Sequence, residues 1–228
     1  MSGLEPVVWL IVFVVSITAH EAAHAWAAWL GGDPTAYRGG QVSLNPIPHM
    51  RREPFGMVLV PLISTISGGF PIGWASTPYD PRWEERYPRR AAWMAAAGPA
   101  ANAALALAAL VALRVGLDAG VFLSPDQVDA TRLVFAESDP VDGLGRFLSM
   151  MLVLNTVLCL FNLAPVPPLD GASAITLLLP EHAGLRVRQA LRTPAIAMAG
   201  LFAVWFGFGQ IVRPVFGILI RLVHPDFG

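Results

Sequence analysis

The first apolar stretch of the chain, residues 6–30, decides the fold and reads PVVWLIVFVVSITAHEAAHAWAAWL. About 20 helical residues cross a bilayer, so this stretch is long enough to form a membrane-spanning helix. It nevertheless contains His20, Glu21 and His24 within five positions. Ionisable groups at bilayer depth are costly, and they usually mark a functional site. The stretch therefore predicts a spanning helix that carries such a site.

The spacing of the two histidines is typical of a metal-binding helix. Residues four apart share one face of a helix, so His20 and His24 would stand one turn apart. Two imidazoles in this arrangement can hold a single Zn²⁺, with Glu21 beside the open coordination position. The alternative is a polar helix face buried between neighbouring helices. The apolar residues on both sides of the pattern favour the metal site.

A catalytic zinc site needs a third protein ligand and a place for water, and Asp170 is the best candidate for that ligand. Three prolines in residues 165–168 predict an extended stretch before it, and Gly171 after it allows close approach of the backbone. A carboxylate placed there can reach a metal on a neighbouring helix. The alternative is an ordinary N-cap aspartate for a helix that starts near Ala172.

The composition indicates an integral membrane protein. Of the 228 residues, 55 % are hydrophobic and only 14 % are charged. The net charge of −1 gives no support for nucleic-acid binding. We expect one polytopic membrane domain over residues 1–228, with a core at 6–180 and a C-terminal helix at about 194–222. Because no basic residue precedes the first apolar stretch, we expect it to be retained as a span.

Four segments are long and apolar enough to cross the bilayer. They lie at about 6–30, 91–115, 146–165 and 194–212. A fifth apolar stretch, 55–75, is interrupted by prolines and glycines, which argue against a straight helix. The prediction is an all-α membrane fold with about four to six transmembrane helices and a re-entrant or broken segment at 55–75. Residues 39–48 are turn-rich and partly alternating, which predicts an edge strand or a short β-hairpin.

The arginines of the loops predict the orientation in the membrane. Segments 31–54, 78–90 and 180–193 contain three, four and three arginines, whereas 116–145 has one arginine against six acidic residues. By the positive-inside rule the first three face the cytoplasm and the fourth faces outward, provided that 55–75 does not cross. The histidine pair and Asp170 then lie at one depth, in the cytoplasmic half of the membrane.

Three ordered motifs resemble those of the site-2 protease family, which consists of intramembrane zinc metalloproteases. The motifs are His20-Glu21-x-x-His24, Gly98-Pro99-Ala100-Ala101-Asn102, and Asn162 followed by Leu169-Asp170-Gly171. The similarity covers about residues 6–180 and leaves no room for a PDZ or CBS module, so the chain looks like a compact form. The resemblance implies one Zn²⁺ per chain and a catalytic Glu21. It further implies that His20, His24 and Asp170 bind the metal, and that Asn162 holds the substrate or its oxyanion.

Two further polar residues are candidates for supporting roles. Asn102 lies in an alanine-rich helix, where helix packing is the expected role and contact with the active site is the alternative. His49, between Pro48 and Met50, is expected at the surface or the membrane interface, with a role at the water entry as the alternative.

The implied function is hydrolysis of a peptide bond in or near a transmembrane segment of a membrane-protein substrate. Its partners would be that substrate and the lipid bilayer of a bacterial or archaeal cell membrane, with the active site nearer the cytoplasmic side. Two alternatives use the same ligands. One is a non-catalytic membrane zinc-binding protein, and the other is a zinc hydrolase that acts on lipid or on soluble peptides.

Overall fold

The computed structural model describes residues 5–191 and 193–225 of the chain. This part of the chain forms the helices α1 (Glu5–Leu30), α2 (Thr35–Arg38), α3 (Pro46–Arg52), α4 (Val60–Gly68), α5 (Pro81–Arg86), α6 (Pro88–Asp118), α7 (Asp139–Asn162), α8 (Gly171–Ala174), α9 (Glu181–Leu191) and α10 (Pro194–Val223). A π-helical turn, Phe55–Leu59, leads into α4, and a 3₁₀ turn, Ile175–Leu178, follows α8. Arg192, one of the arginines that predict the orientation, lies outside the described residues, as do the first four and the last three positions.

Among the described residues, four helices are long and apolar enough to cross a membrane, namely α1, α6, α7 and α10. The described residues contain no strand, only two isolated β-bridges, Leu123 with Phe135 and Asp129 with Arg132. The predicted all-α membrane fold is confirmed. Most of the length of each spanning helix matches the segments expected from hydropathy, and α6 and α7 begin several residues earlier.

The β-hairpin predicted at residues 39–48 is not present. Residues 39–45 form turns and bends, and α3 begins at Pro46. Asn45 is the N-cap of α3, and its side-chain oxygen accepts a hydrogen bond from the backbone N–H of Ile47 at 3.0 Å. An asparagine N-cap followed by proline at the first helical position is a strong start signal for a helix. This signal outweighs the weak alternation on which the hairpin prediction rested.

Polar contacts at the helix ends establish which ends share a side. The carboxylate of Glu5, at the start of α1, lies 2.9 Å from the guanidinium of Arg146, near the start of α7. At the other end of α1, the backbone oxygen of Gly31 accepts hydrogen bonds from the side chains of Trp83 and Arg90, each at 3.0 Å. Residues 31–87 therefore begin and end at the same side of the helix bundle.

The segment 55–75 lies within residues 31–87 and turns back on itself. Gly69 ends α4 in the left-handed conformation, with a φ of 74° that favours glycine. The chain then returns through residues 69–80, called here the return segment, which contain neither helix nor strand. The backbone N–H of Trp74 donates to the backbone oxygen of Gly56 at 3.1 Å, so the returning chain lies beside the start of the excursion. The segment is broken and re-entrant, as its prolines and glycines predicted.

The core lies between α1, α6 and α7. Side chains with 1 % exposure or less fill it, among them Val12, Phe13, Leu113, Met150 and Leu152. The alanine-rich sequence of α6 allows the close helix packing that is typical of membrane bundles. In contrast, α10 buries only Leu219 and Val223, near its C-terminal end. Its exposed apolar residues suit contact with lipid.

Candidate metal centre

The two histidines of α1 and the aspartate before α8 meet at one point. The Nε2 atoms of His20 and His24 lie 3.0 Å apart. The Oδ2 atom of Asp170 lies 3.1 Å from the first and 3.2 Å from the second. Both imidazoles are buried, with 6 % and 5 % exposure. Chain positions separated by 146 residues thus present three potential ligand atoms to the same small volume.

The outer nitrogen of each imidazole has an acceptor as its partner. Nδ1 of His20 lies 2.6 Å from the side-chain oxygen of Asn102, and Nδ1 of His24 lies 2.7 Å from the backbone oxygen of Met94. A carbonyl oxygen can only accept, so each Nδ1 carries the hydrogen and donates it. Each Nε2 is then left with a lone pair that points towards Asp170. This tautomer is the one that a metal-binding histidine needs.

The residues present fit a bound zinc ion. Oδ2 of Asp170 is buried, and no hydrogen-bond donor reaches it among the described residues. Three acceptor atoms at mutual distances of 3.0–3.2 Å repel one another unless a proton or a cation lies among them. Two imidazoles and one carboxylate form a donor set that is typical of catalytic zinc, which takes three protein ligands and leaves one position for water.

A glycine on α6 makes room for the pair of imidazoles. A Cβ atom at Gly98 would lie 2.6 Å from Nε2 of His20, and it would also collide with the ring of His24. Such a carbon would occupy the space in front of both ligand atoms. The glycine of the Gly98-to-Asn102 motif is therefore required by the close approach of α6 to the site.

Glu21 lies next to these ligands and is 4 % exposed. The hydroxyl of Thr77 donates to its Oε2 atom at 2.7 Å. Glu21, the three ligand residues and Asn162 all line one cavity of about 500 Å³. The side-chain amide of Asn162 donates one hydrogen to the backbone oxygen of Leu158 at 3.0 Å. The amide carries a second hydrogen, which can donate to another acceptor.

The walls of this cavity differ in character. Apolar side chains of the spanning helices form one part, including Ile17, Met94, Leu158 and Phe161. The return segment forms another part, with the consecutive residues 73–77. The cavity therefore joins a membrane-buried wall to an irregular stretch of backbone, beside a potential metal and a carboxylate.

Comparisons with known proteins identify the family of the chain. The model of peptidase family M50, the site-2 protease family, matches residues 8–206. The chain belongs to peptidase family M50. It is a membrane zinc metalloprotease of the site-2 type, and the predicted family, enzyme class and membrane setting are confirmed.

Two bacterial relatives illustrate the range of similarity. The protein named "Putative zinc metalloprotease YwhC" of Bacillus subtilis is 34 % identical over 199 residues, which cover 87 % of this chain and 81 % of the relative. The protein named "Putative zinc metalloprotease Rip2" of Mycobacterium tuberculosis is 28 % identical over 180 residues, covering 75 % of this chain and 60 % of the relative. No solved structure matches the chain.

Asn102 of this M50 chain does more than pack helices together. It is fully buried and contacts His20 directly, so the alternative expected from the sequence describes its position better. Its amide nitrogen donates to the side-chain oxygen of Asn155 at 2.9 Å. The amide nitrogen of Asn155 donates in turn to the hydroxyl of Ser16 at 2.8 Å. A buried chain of polar groups thus runs across α1, α6 and α7 to one imidazole.

Sequence reasoning missed Asn155 and Ser16, although both carry a signal. Asn155 precedes Asn162 by seven residues, which places both amides on one face of α7. Ser16 precedes His20 by four residues and shares its helix face. Polar residues that repeat along an apolar helix on the face of a functional residue indicate a network behind the site.

His49 lies apart from the metal centre. It is 1 % exposed, so the expectation of a surface position does not hold. Its Nε2 atom lies 3.0 Å from the backbone oxygen of Ser43, and the residue does not line the cavity. The geometry connects His49 with the turn before α3, and it gives no support for a role at the water entry.

Proposed function

We propose that this chain hydrolyses a peptide bond in or near a transmembrane segment of a protein substrate, with one Zn²⁺ held by His20, His24 and Asp170. The observation that carries the proposal is the convergence of three ligand atoms beside Glu21, on a helix that is apolar enough to span a membrane. When bound, the metal supplies Lewis-acid polarisation of the scissile carbonyl and a lower pKa for a coordinated water.

The side chains of the site have separate roles in proton transfer, positioning of the imidazoles and substrate binding. Glu21 accepts the proton of the attacking water and returns it to the leaving amine as general base and then general acid. Asn102 and the backbone oxygen of Met94 hold the two imidazoles in the required tautomer. Asn162 offers its second amide hydrogen to the oxyanion or to the substrate backbone.

The return segment is the best candidate to receive the substrate. A helical substrate keeps its amides hydrogen-bonded internally, so it must unwind before cleavage. The unwound stretch then needs partners for its backbone, and strand addition supplies them. Residues 73–77 line the cavity and lie outside helices, which supports this role.

We further propose that residues 1–228 form a single domain in a bacterial cell membrane, with the active site towards the cytoplasm. The arginines of the loops support this orientation. Single cysteines introduced at 82–86 and at 124–128 are expected to react with an impermeant thiol reagent from opposite sides of the membrane. Labelling of both positions from outside would contradict the orientation.

The decisive experiment is the substitution Glu21→Gln in purified protein. We expect cleavage of a model transmembrane substrate to disappear while bound zinc stays at the wild-type level, because Glu21 is not a ligand. Retained cleavage with Glu21→Gln would show that Glu21 is not the general base. Wild-type protein that binds zinc but cleaves no substrate of any kind would favour a non-catalytic zinc-binding protein. Cleavage of lipid or soluble peptides, with none of the transmembrane substrate, would favour the second alternative.

A further inference from the structure

The carboxylate of Glu21 is held by one residue of the return segment. The hydroxyl of Thr77 lies 2.7 Å from Oε2 of Glu21 and 3.0 Å from its backbone oxygen. The hydroxyl has a single hydrogen, and the charged and closer carboxylate oxygen is the stronger acceptor. Among the described residues, no hydrogen bond reaches the other carboxylate oxygen, Oε1. One oxygen of the pair is therefore engaged, and the other is left to the cavity that Glu21 lines.

Thr77 is itself fixed in place, because the return segment is anchored on both sides of it. Its anchors are hydrogen bonds from Ile72 N–H to Ser64 Oγ at 2.8 Å, from Trp74 N–H to Gly56 O at 3.1 Å, from Ser76 Oγ to Glu53 Oε1 at 2.5 Å, and from Asp80 N–H to Asp33 Oδ2 at 2.8 Å. A segment held at four points presents the Thr77 hydroxyl in one orientation. The contact with Glu21 thus joins a fixed donor to a side chain with three rotatable bonds.

We propose that Thr77 is a positioning residue, which fixes the carboxylate of Glu21 so that Oε1 faces the position of the attacking water. This inference rests on the proposed function, since it assigns Glu21 the role of general base. A general base must lie within hydrogen-bond reach of the proton it removes, and a carboxylate that rotates freely spends less time in that geometry. The hydroxyl restricts the rotation through a charge-assisted hydrogen bond.

The competing explanation is that Thr77 only ties the return segment to α1. The two explanations differ in what the protein loses when the hydroxyl is removed. If Thr77 only holds the return segment against α1, loss of any other anchor of that segment should have a similar effect. That effect should appear in substrate binding, as a change in KM. A positioning contact acts on the chemical step, so its loss lowers kcat and leaves KM nearly unchanged.

The test compares Thr77→Val, Thr77→Ser and Ser64→Ala in the full chain, with cleavage of a model transmembrane substrate. Thr77→Val keeps the shape of the side chain and removes the donor, so we expect kcat to fall by about 10- to 100-fold, the range for loss of one hydrogen bond to a charged group. KM and bound zinc are expected to stay at wild-type values. Thr77→Ser restores the hydroxyl and should recover most of kcat. Ser64→Ala breaks the anchor at Ile72, five positions before Thr77, and should leave kcat near wild type.

Two outcomes of these kinetics would overturn the proposal. One is a Thr77→Val variant with wild-type kcat. The other is a loss of kcat that Thr77→Ser or Ser64→Ala reproduces in full, because the hydroxyl would then have no specific effect on the base.

An infrared measurement separates failure of this proposal from failure of the proposed function. The difference spectrum between wild type and Glu21→Gln isolates the carboxylate band of Glu21 without any substrate. We expect Thr77→Val to shift that band and Thr77→Ser to leave it in place. An unshifted band in Thr77→Val would show that the Thr77 hydroxyl does not contact the Glu21 carboxylate, and the proposal would fail. If the band shifts in Thr77→Val but the wild-type protein cleaves no substrate, the contact between Thr77 and Glu21 is present and the proposed function fails.

Discussion

Two polar clusters each join α1 to α7, and they differ in how the carboxylates in them are paired. The outer charged cluster consists of Glu5, Arg132, Asp142 and Arg146. The inner polar cluster consists of Ser16, His20, Asn102 and Asn155, and it ends at His24 and Asp170. In the outer cluster, ions of opposite sign face each other at 2.9–3.1 Å. In the inner cluster, hydrogen bonds between neutral groups run outward from Nδ1 of His20 through Asn102 and Asn155 to Ser16. On the other side of the imidazole, three acceptor atoms face one another.

The difference indicates what each cluster needs. Each carboxylate of the outer cluster has an arginine as its partner, and the buried atom without a partner there is a donor, Nε of Arg132. The inner cluster leaves Oδ2 of Asp170 without a donor. Buried acceptors that face one another are unfavourable without a cation or a proton. The proposed zinc ion would supply that cation to the inner cluster, whereas the carboxylates of the outer cluster are already paired with arginines.

Removal of Asp170 should break the inner cluster with the largest effect. We expect Asp170→Ala to lose both bound zinc and cleavage, because two imidazoles alone do not complete a catalytic site. Removal of a residue that only supports a ligand lowers metal affinity by about 10- to 100-fold. We expect the loss of zinc affinity in Asp170→Ala to be larger than this. Metal analysis of purified protein after dialysis against a zinc buffer measures it. A full complement of zinc in Asp170→Ala would show that this carboxylate is not a ligand.

Removal of Asn155 should have an intermediate effect, because it acts on His20 through Asn102. In Asn155→Ala, the amide of Asn102 loses the closer of its two acceptors and keeps the backbone oxygen of Ser16 at 3.4 Å, so the tautomer of His20 is held less firmly. We expect zinc affinity to fall by about 10-fold, with cleavage recovering at saturating zinc. A zinc titration against a competing chelator gives the affinity.

The neighbouring residue Thr156 provides the matched control. Its hydroxyl donates to the backbone oxygen of Leu152 within the same helix, at 2.8 Å, and has no link to the site. Thr156→Val is expected to bind zinc as the wild type does. An equal loss of affinity in both variants would mean that α7 as a whole responds, and that the chain of polar groups has no specific role.

The sequence could supply the three proposed ligands that the structure brings together, because their information is local or carried by motifs. The four-residue spacing of His20 and His24 defines a helix face without knowledge of any other helix. Asp170 was predicted as the third ligand from the prolines that precede it and from the family resemblance. The membrane spans followed from the length of apolar stretches, and the return of 55–75 followed from its prolines and glycines.

The partners behind the ligands could not be predicted in the same way. The contact of His20 with Asn102 joins residues 82 positions apart, and the one between Asn102 and Asn155 joins residues 53 apart. Such contacts depend on the rotation of each helix about its axis, which packing decides. Thr77 belongs to an irregular segment, where no periodicity assigns a direction to a side chain. The burial of His49, in the seven-residue helix α3, likewise depends on how that helix packs and did not follow from its neighbours.

The smallest effect is expected in the outer charged cluster, and it should fall on stability alone. Arg146→Gln removes the cation that pairs with Glu5 and Asp142, so Glu5 loses its arginine and Asp142 keeps only Arg132. We expect the thermal unfolding midpoint to fall by about 2–4 °C for each kcal/mol lost, with zinc affinity and kcat unchanged. Arg82→Gln is the control, since Arg82 is 91 % exposed and lies 3.7 Å from its partner Asp80, and exposed pairs of this kind contribute little. A drop in zinc affinity with Arg146→Gln as large as that with Asn155→Ala would show that the two clusters act as one network, and that the distinction between a stabilising end and a ligand-binding end does not hold.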